Sequence, residues 1–190
     1  MNKIIAVVGM TGSGKSTVSD YLVSKGFEYI RFGQITLDIV KEKGMQPTEE
    51  NEKKIREDIR KKHGMAAFAI LNLPKINELL KKGNLIADGL YSWSEYKVLK
   101  EKFKENLIVV AVYASPKTRY ERLSNRKLNK EDINLRYRPT DYKQSISRDY
   151  AEIENIEKAG PIAMADFTLI NENNIEQLKK ETDKILTRIK

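Results

Sequence analysis

The chain has 190 residues, 40% hydrophobic and 33% charged, which suits one well-cored domain and is short for two. It contains no cysteine, so disulfides and thiolate metal centres are excluded. The formal net charge of +8 favours anionic partners: nucleotides, phosphorylated metabolites or nucleic acid.

The first apolar run, Ile4 to Met10, is too short for a membrane span or a secretory leader, and no later run approaches the roughly 20 apolar residues a span needs. A cytoplasmic protein with no membrane partner is the expectation. The run reads as a strand over 4–9 and leads into "GMTGSGKS", which fits G-x-x-x-x-G-K-[ST] with Gly9, Gly14, Lys15 and Ser16 at the fixed positions. A helix over 15–25 follows. Strand, glycine loop and helix N-terminus in succession make a phosphate cradle. Backbone N–H groups from Gly9, Met10, Thr11, Gly12, Ser13 and Gly14 converge on phosphate oxygens, and the helix dipole adds positive charge. Lys15 then reaches the β- and γ-phosphates, Ser16 ligates Mg²⁺, and Thr17 assists at the α-phosphate. The loop therefore predicts a nucleoside triphosphate site for ATP with Mg²⁺. It does not distinguish a kinase from a nucleotide-driven switch.

Further along, "EYIRF" reads as a strand over 28–32. A long helical excursion over 33–82 follows, with helices over 49–62 and 66–81. In the first of these, Glu49–Lys53, Glu50–Lys54, Glu52–Arg56, Glu57–Lys61 and Asp58–Lys62 are acid-before-base pairs at i,i+4, so the stretch reads as a solvated, self-paired helix capped by Thr48 and ended by Gly64. Arg60 has no acid four residues before it and is the cation here that could bind an acceptor. Gln34, at the start of the excursion, is a second candidate. His63, the only histidine, sits at the helix end, where it fits the dipole better than catalysis.

"NLIADG" reads as a strand over 84–89 that ends on Asp88. In an open α/β sheet that edge faces the ligand crevice. A carboxylate there could hold Mg²⁺ through water or take a proton from a hydroxyl nucleophile. Gly89 allows a sharp turn or close substrate approach. Tyr91 and Trp93 could stack on a base or simply pack. "SWSE" is a capping box opening a helix over 93–104.

A strand over 106–114 and a helix over 116–125 follow, the helix with Ser115 as cap and Pro116 at its first position. From here to residue 148 arginines outnumber acids: Arg119, Arg122, Arg126, Arg136, Arg138 and Arg148. The first three recur at helical spacing and so share a face. Such cations can clamp phosphates and offset charge on a moving phosphoryl group. No recognised nucleic-acid motif accompanies them, although the cationic balance leaves RNA open as a partner. The polar segment over 126–160 reads as a lid. A strand over 166–171 and a helix over 174–189, capped by Asn173, close the chain.

Strand-helix alternation predicts a three-layer α/β fold around a parallel sheet. The P-loop, the helical flap after strand two, Asp-Gly after strand three and the arginine lid after strand four together resemble the nucleoside monophosphate kinases. "ADFTLINENNIEQLKK" is similar to the closing strand and helix of dephospho-CoA kinases. "ASPKTRYERL" through "SRDYAEIE" and "IAMADFTLIN" look closest to the adenylate-kinase-related, dephospho-CoA-kinase-like proteins. The resemblance covers nearly the whole chain. It implies a P-loop NTPase fold with five parallel strands in the order 2-3-1-4-5 and a core over 1–32, 83–125 and 161–190, with an acceptor flap over 33–82 and a lid over 126–160. It also implies ATP-Mg²⁺ as donor and Asp88 beside acceptor and metal. Arg122 and Arg126 resemble lid-side arginines around the donor, Arg148 is a further one, and Asn171 would lie near the adenine. The implied activity is ATP-dependent phosphorylation of a small nucleotide-like acceptor, a nucleoside monophosphate or a dephospho-CoA-like molecule. The alternative is a P-loop ATPase or switch that binds a macromolecule such as RNA. Two departures leave the acceptor open. Leu90 and Tyr91 follow Asp-Gly where adenylate kinases carry an arginine, and "FGQIT" replaces their threonine-glycine-aspartate flap start.

Overall fold

Successive side chains of a strand point to opposite faces, so a strand apolar at every position must be covered on both sides. In the computed structural model, which describes residues 2–127 and 139–189, this is the state of β1 (Ile4–Val8) and β3 (Leu85–Asp88), buried at every position. With β2 (Glu28–Arg31), β4 (Leu107–Tyr113) and β5 (Phe167–Ile170) they form a five-stranded parallel sheet in the order β2-β3-β1-β4-β5. The predicted fold class, strand order and parallel direction are all present.

Helices cover both faces. Ile4, Ala6, Val8, Leu85, Ala87, Val109 and Ala111 face one layer, built from α2 (Gln34–Glu42), α3 (Glu49–His63), α4 (Ala67–Leu79) and α5 (Trp93–Phe103). Ile5, Val7, Ile86, Val110 and Val112 face the other, where α1 (Lys15–Ser24) and α9 (Ile175–Arg188) contribute Val18, Leu22, Leu178 and Ile185. The helices of the 33–82 excursion thus pack into the same core as the sheet, through Val40, Ile55, Ile59, Phe68 and Ile76.

Local signals match most of the helix boundaries. Ser92 forms the full capping box with Glu95, Thr48 accepts from Asn51 N–H, and Ser115 caps α6 (Pro116–Ser124) ahead of Pro116. Along α3 the Glu50–Lys54 and Glu52–Arg56 pairs form, at 2.8 and 3.5 Å. The last helix is capped one residue later than its sequence suggests. Asn174, not Asn173, has the extended backbone and accepts from Gln177 N–H. The polar 126–160 segment contains a helix that periodicity did not reveal, α7 (Tyr142–Ile156), and a second, short α8 (Ala159–Ala163), begins at its end and runs past it. Arg136 and Arg138 lie outside the described residues.

Phe32, just past β2, is fully buried where α2 and α4 meet the sheet. Its N–H donates to the Asp88 carbonyl at 2.9 Å, and its carbonyl accepts from the Asn72 side chain at 3.3 Å. Phe32→Ala should cost about 3–5 kcal/mol, as emptying a well-packed aromatic site does. Urea denaturation would show the lowered midpoint.

Candidate nucleotide-binding site

The loop between β1 and α1 is pressed against its neighbours. Gly9 has φ +143, and a Cβ there would lie 2.3 Å from the Val112 carbonyl of β4. Gly14 has φ +104, and a Cβ there would meet the Asn171 amide nitrogen at 2.2 Å. That amide donates to the Ser13 carbonyl at 2.7 Å, so Asn171 spends its N–H on bracing the loop from below. Both glycines are needed for close approach as well as for backbone conformation. No side chain caps the N-terminus of α1, which leaves its first-turn N–H groups, from Lys15, Ser16 and Thr17, for an anion. Thr11, Gly12 and Met10 complete the loop. The buried Ser13 hydroxyl has no hydrogen-bond partner.

Arg119 holds the loop from the other side. Its guanidinium donates to the Thr11 carbonyl at 3.0 Å, to the Ala114 carbonyl at 3.2 Å and to Asp149 of α7 at 2.6 Å. Tyr120 also donates to Asp149. With 4% exposure, Arg119 is a structural cation under the loop rather than a lid cation above it. The predicted shared arginine face therefore divides. Arg122 stays on α6, with one buried guanidinium nitrogen that has no hydrogen-bond partner. Arg126 lies past the helix end, where the Leu123 carbonyl accepts from both Arg126 N–H and Thr140 N–H.

Beside the loop, Val7 of β1 is in register with Asp88 of β3, which is in register with Arg31 of β2. Asp88 is buried and accepts from the Tyr29 hydroxyl at 3.0 Å. The Ser16 hydroxyl, in the first turn of α1, and the Asp88 carboxylate, at the end of β3, are oxygen donors on the chain's P-loop helix and the strand beside β1. Such a set fits Mg²⁺, which is commonly held by one or two protein groups, phosphates and water.

Tyr91 follows Gly89 (φ +96), and burial together with nearby Asp88 pushes its phenol up to about 12. Trp93 stacks on Tyr96 and packs against Gly160, so it is a packing residue. Glu95 is fully buried and accepts from the N–H groups of Tyr91 and Ser92. Burial pushes its carboxyl up to about 7 against those two bonds and the pull of Arg60. Arg60 sits over the Phe68 ring at 5.1 Å, with burial lowering its proton affinity. Its Nε and the second Glu95 oxygen are buried atoms without a hydrogen-bond partner. Gln34 donates to Asp38 at the start of α2.

Lys15 donates to the Met10 carbonyl at 3.0 Å. Burial, and then the neighbouring Lys158 ammonium, push it down to about 7, while Asp88 and Glu152 oppose that. Lys158 has 2% exposure, donates to Glu152 at 2.5 Å and lies 4.9 Å from the centre of the Tyr91 ring. Glu152 also accepts from Arg148 at 2.9 Å and from the Thr11 hydroxyl of the loop at 3.5 Å. Burial alone would raise the Glu152 carboxyl, but the Lys158 and Arg148 cations hold it down at about 2.

Lys15, Asp88, Tyr91 and Arg148 are thus brought into one electrostatic neighbourhood, and Arg60 faces Glu95 beside it. Sequence reading missed Arg31, Glu95, Glu152 and Lys158. Glu95 was visible only as half of a capping box. For Lys158 the only signal was its place just before the Gly160–Pro161 punctuation.

A family model described as an AAA domain matches residues 5–158. The chain is similar to UPF0200 proteins: 33% identical to that of Sulfurisphaera tokodaii and 32% to that of Thermococcus kodakarensis, each over 98% of this chain and 97% of the relative. Among solved structures it is similar to a shikimate kinase from Bacteroides thetaiotaomicron (TM-score 0.59, 14% identity, 97% of this chain and 98% of the other). It is also similar to a gluconokinase from Sinorhizobium meliloti (TM-score 0.57, 15% identity, 98% and 93%). At these identities what is shared is the P-loop kinase fold.

Glu95 yields a prediction with a definite sign. Its carboxyl ionises near 4.5 in the unfolded chain and near about 7 when folded, so the folded state holds the proton longer. The stability it contributes is full below pH 4.5 and is lost as pH rises to 7. Glu95→Gln keeps a carbonyl oxygen for the two N–H groups and cannot ionise. Relative to wild type it should gain about 1–3 kcal/mol between about pH 5 and 8, read by urea denaturation at both pH values.

Proposed function

Since the chain belongs to the AAA domain family and to the UPF0200 proteins, we propose that it is a kinase that moves the γ-phosphoryl group of ATP to a small nucleotide-like acceptor. The observation that carries this reading is the pairing of a P-loop lysine with a carboxylate one strand away. Val7, two residues before Gly9, is in register with Asp88. Lys15 and the buried Asp88 interact electrostatically. Arg60 and Glu95, which interact electrostatically, each keep a buried polar atom without a hydrogen-bond partner.

In this reading the backbone from Gly9 to Thr17 cradles the phosphates and Lys15 binds the β- and γ-oxygens. Ser16 and Asp88 would hold Mg²⁺, which when bound neutralises charge on the phosphates. An acceptor oxygen attacks the γ-phosphorus, the bond to the β–γ bridging oxygen breaks, and ADP leaves. Where the acceptor is a hydroxyl, Asp88 takes its proton. Arg122 from α6, with Arg126 and Arg148 from the 126–160 lid, offsets the developing charge, and Asn171 positions the loop under the donor. The 33–82 flap presents Gln34 and Arg60 to the acceptor, with Gly89 and Tyr91 opposite. The names of the structural neighbours, kinases of shikimate and gluconate type, support small-molecule transfer as the reaction class. Nucleoside monophosphates and dephospho-CoA-like molecules are the acceptors this reading favours.

The test is a product assay. With ATP, Mg²⁺ and a panel of nucleoside monophosphates, dephospho-CoA and RNA, wild-type protein should yield one phosphorylated small molecule. Lys15→Ala should reduce its formation by about 10²–10³-fold or more, as loss of a single transition-state donor does, with the circular dichroism spectrum unchanged. Unchanged turnover in that variant would sink the assignment. Release of free phosphate without product, stimulated by RNA, would favour a macromolecule-binding ATPase instead.

A further inference from the structure

Two lysine ammonium groups share one neighbourhood, Lys158 buried and Lys15 part-buried. The Lys158 ammonium lowers the proton affinity of Lys15 and is the largest charged influence on it. Burying like charges together is costly, and a buried ion pair is no general source of stability. Lys158 nevertheless has 2% exposure. It is aimed inward by a left-handed turn at Glu157 (φ 52, ψ 42), a conformation that a non-glycine residue rarely adopts. The Glu152 backbone carbonyl accepts from Lys158 N–H at 3.1 Å, and its carboxylate accepts from the Lys158 ammonium.

The anion that balances these cations is the Glu152 carboxylate, and its partners are those of a phosphoryl group. It accepts from an ammonium (Lys158), a guanidinium (Arg148) and the hydroxyl of a phosphate-loop residue (Thr11). We propose that Lys158 is a phosphate-binding residue for the transferable γ-phosphoryl group, and that Glu152 occupies that group's place until nucleotide enters. On entry the phosphoryl oxygens take over the donors from Lys158, Arg148 and Thr11, and the Glu152 carboxylate withdraws. Charge-assisted bonds to phosphate are the strong kind, so the exchange favours a dianionic terminal phosphate over a single carboxylate. Lys158 lies over Tyr91, and both Lys158 and Asp88 act electrostatically on Lys15, so the cation stands between donor loop and acceptor side.

This inference rests on the nucleotide-site reading above, and the experiment separates the two. Binding of AMP-PNP·Mg²⁺ and of ADP·Mg²⁺ is measured by calorimetry for wild type, Lys15→Ala, Lys158→Met and Glu152→Gln, with thermal unfolding of each. Lys158→Met should weaken AMP-PNP binding about tenfold or more, the order expected for a lost charge-assisted bond, and ADP binding far less. Glu152→Gln should lower the unliganded melting temperature yet bind AMP-PNP more tightly than wild type. If Lys158→Met does not fold, the double variant Glu152→Gln/Lys158→Met, which buries no unpaired charge, is compared with Glu152→Gln instead. Lowered melting temperatures with AMP-PNP affinity within twofold of wild type in both single variants would reduce the pair to a structural ion pair and overturn the proposal. Equal losses for AMP-PNP and ADP would overturn the γ-phosphoryl assignment. If Lys15→Ala loses binding and Lys158→Met does not, only this proposal falls. If wild type binds neither nucleotide, the underlying reading falls with it.

Discussion

The Arg119 guanidinium is the fixed point of the site. It reaches the carbonyl of Thr11 in the loop, the carbonyl of Ala114 after β4, and the carboxylate of Asp149 in α7. Backbone from two elements and a side chain from a third are therefore set by one planar, permanently charged group, whose forked donors suit such convergence. The ion pair with Asp149 is fully buried. Its net contribution to stability is small or unfavourable compared with an apolar replacement, but removing either partner alone would strand a buried charge. Its consequence is geometric. Asp149 and Glu152 are three apart on α7 and so share a face. With Asp149 locked beneath the loop, Glu152 is carried to Thr11, and the turn that follows brings in Lys158.

That arrangement explains why the loop glycines cannot be understood from phosphate binding alone. Gly9 presses on the backbone of β4, and Gly14 on the Asn171 side chain. The cradle is held from outside by Arg119 and Asn171 before any ligand arrives, so its N–H groups need little reorganisation to receive one. Preorganised donors of this kind supply most of their benefit because their ordering cost is met during folding.

The sheet was legible because strands buried on both faces must be written as continuous apolar runs, as "IIAVV" and "LIVVAV" are. The capping signals at Thr48, Ser92 and Ser115 were legible because each uses side-chain bonds to backbone only three residues away. Helix α7 was not, for an equally physical reason. Its buried positions are Ser145 and Asp149, so its inward face is polar and no apolar stripe marks it. The arginine series shows a related limit. Periodicity tells which residues share a helix face but not whether that face looks into the protein, and Arg119 looks in. Lys158 is an isolated lysine in sequence, and its importance depends on a turn at Glu157 that no propensity favours.

The departures from the resembled kinases now have a structural reading. Leu90, following Gly89, has 2% exposure and belongs to the core, so this turn contributes no cation to the crevice. The cations that act on Lys15, Tyr91 and Glu95 come from other elements: Arg31 at the end of β2, Arg60 on α3, Arg148 on α7 and Lys158 after it. Arg31 and Arg148 both act on Tyr91, and Arg60 acts on Glu95. Under the proposed kinase reading, an acceptor's anionic group would meet cations from β2, α3, α7 and the turn after α7 rather than from the Asp-Gly turn. The P-loop can be read from eight consecutive residues because its backbone geometry is local, whereas the cations that act on Lys15, Tyr91 and Glu95 come from separate elements and are joined only by the fold.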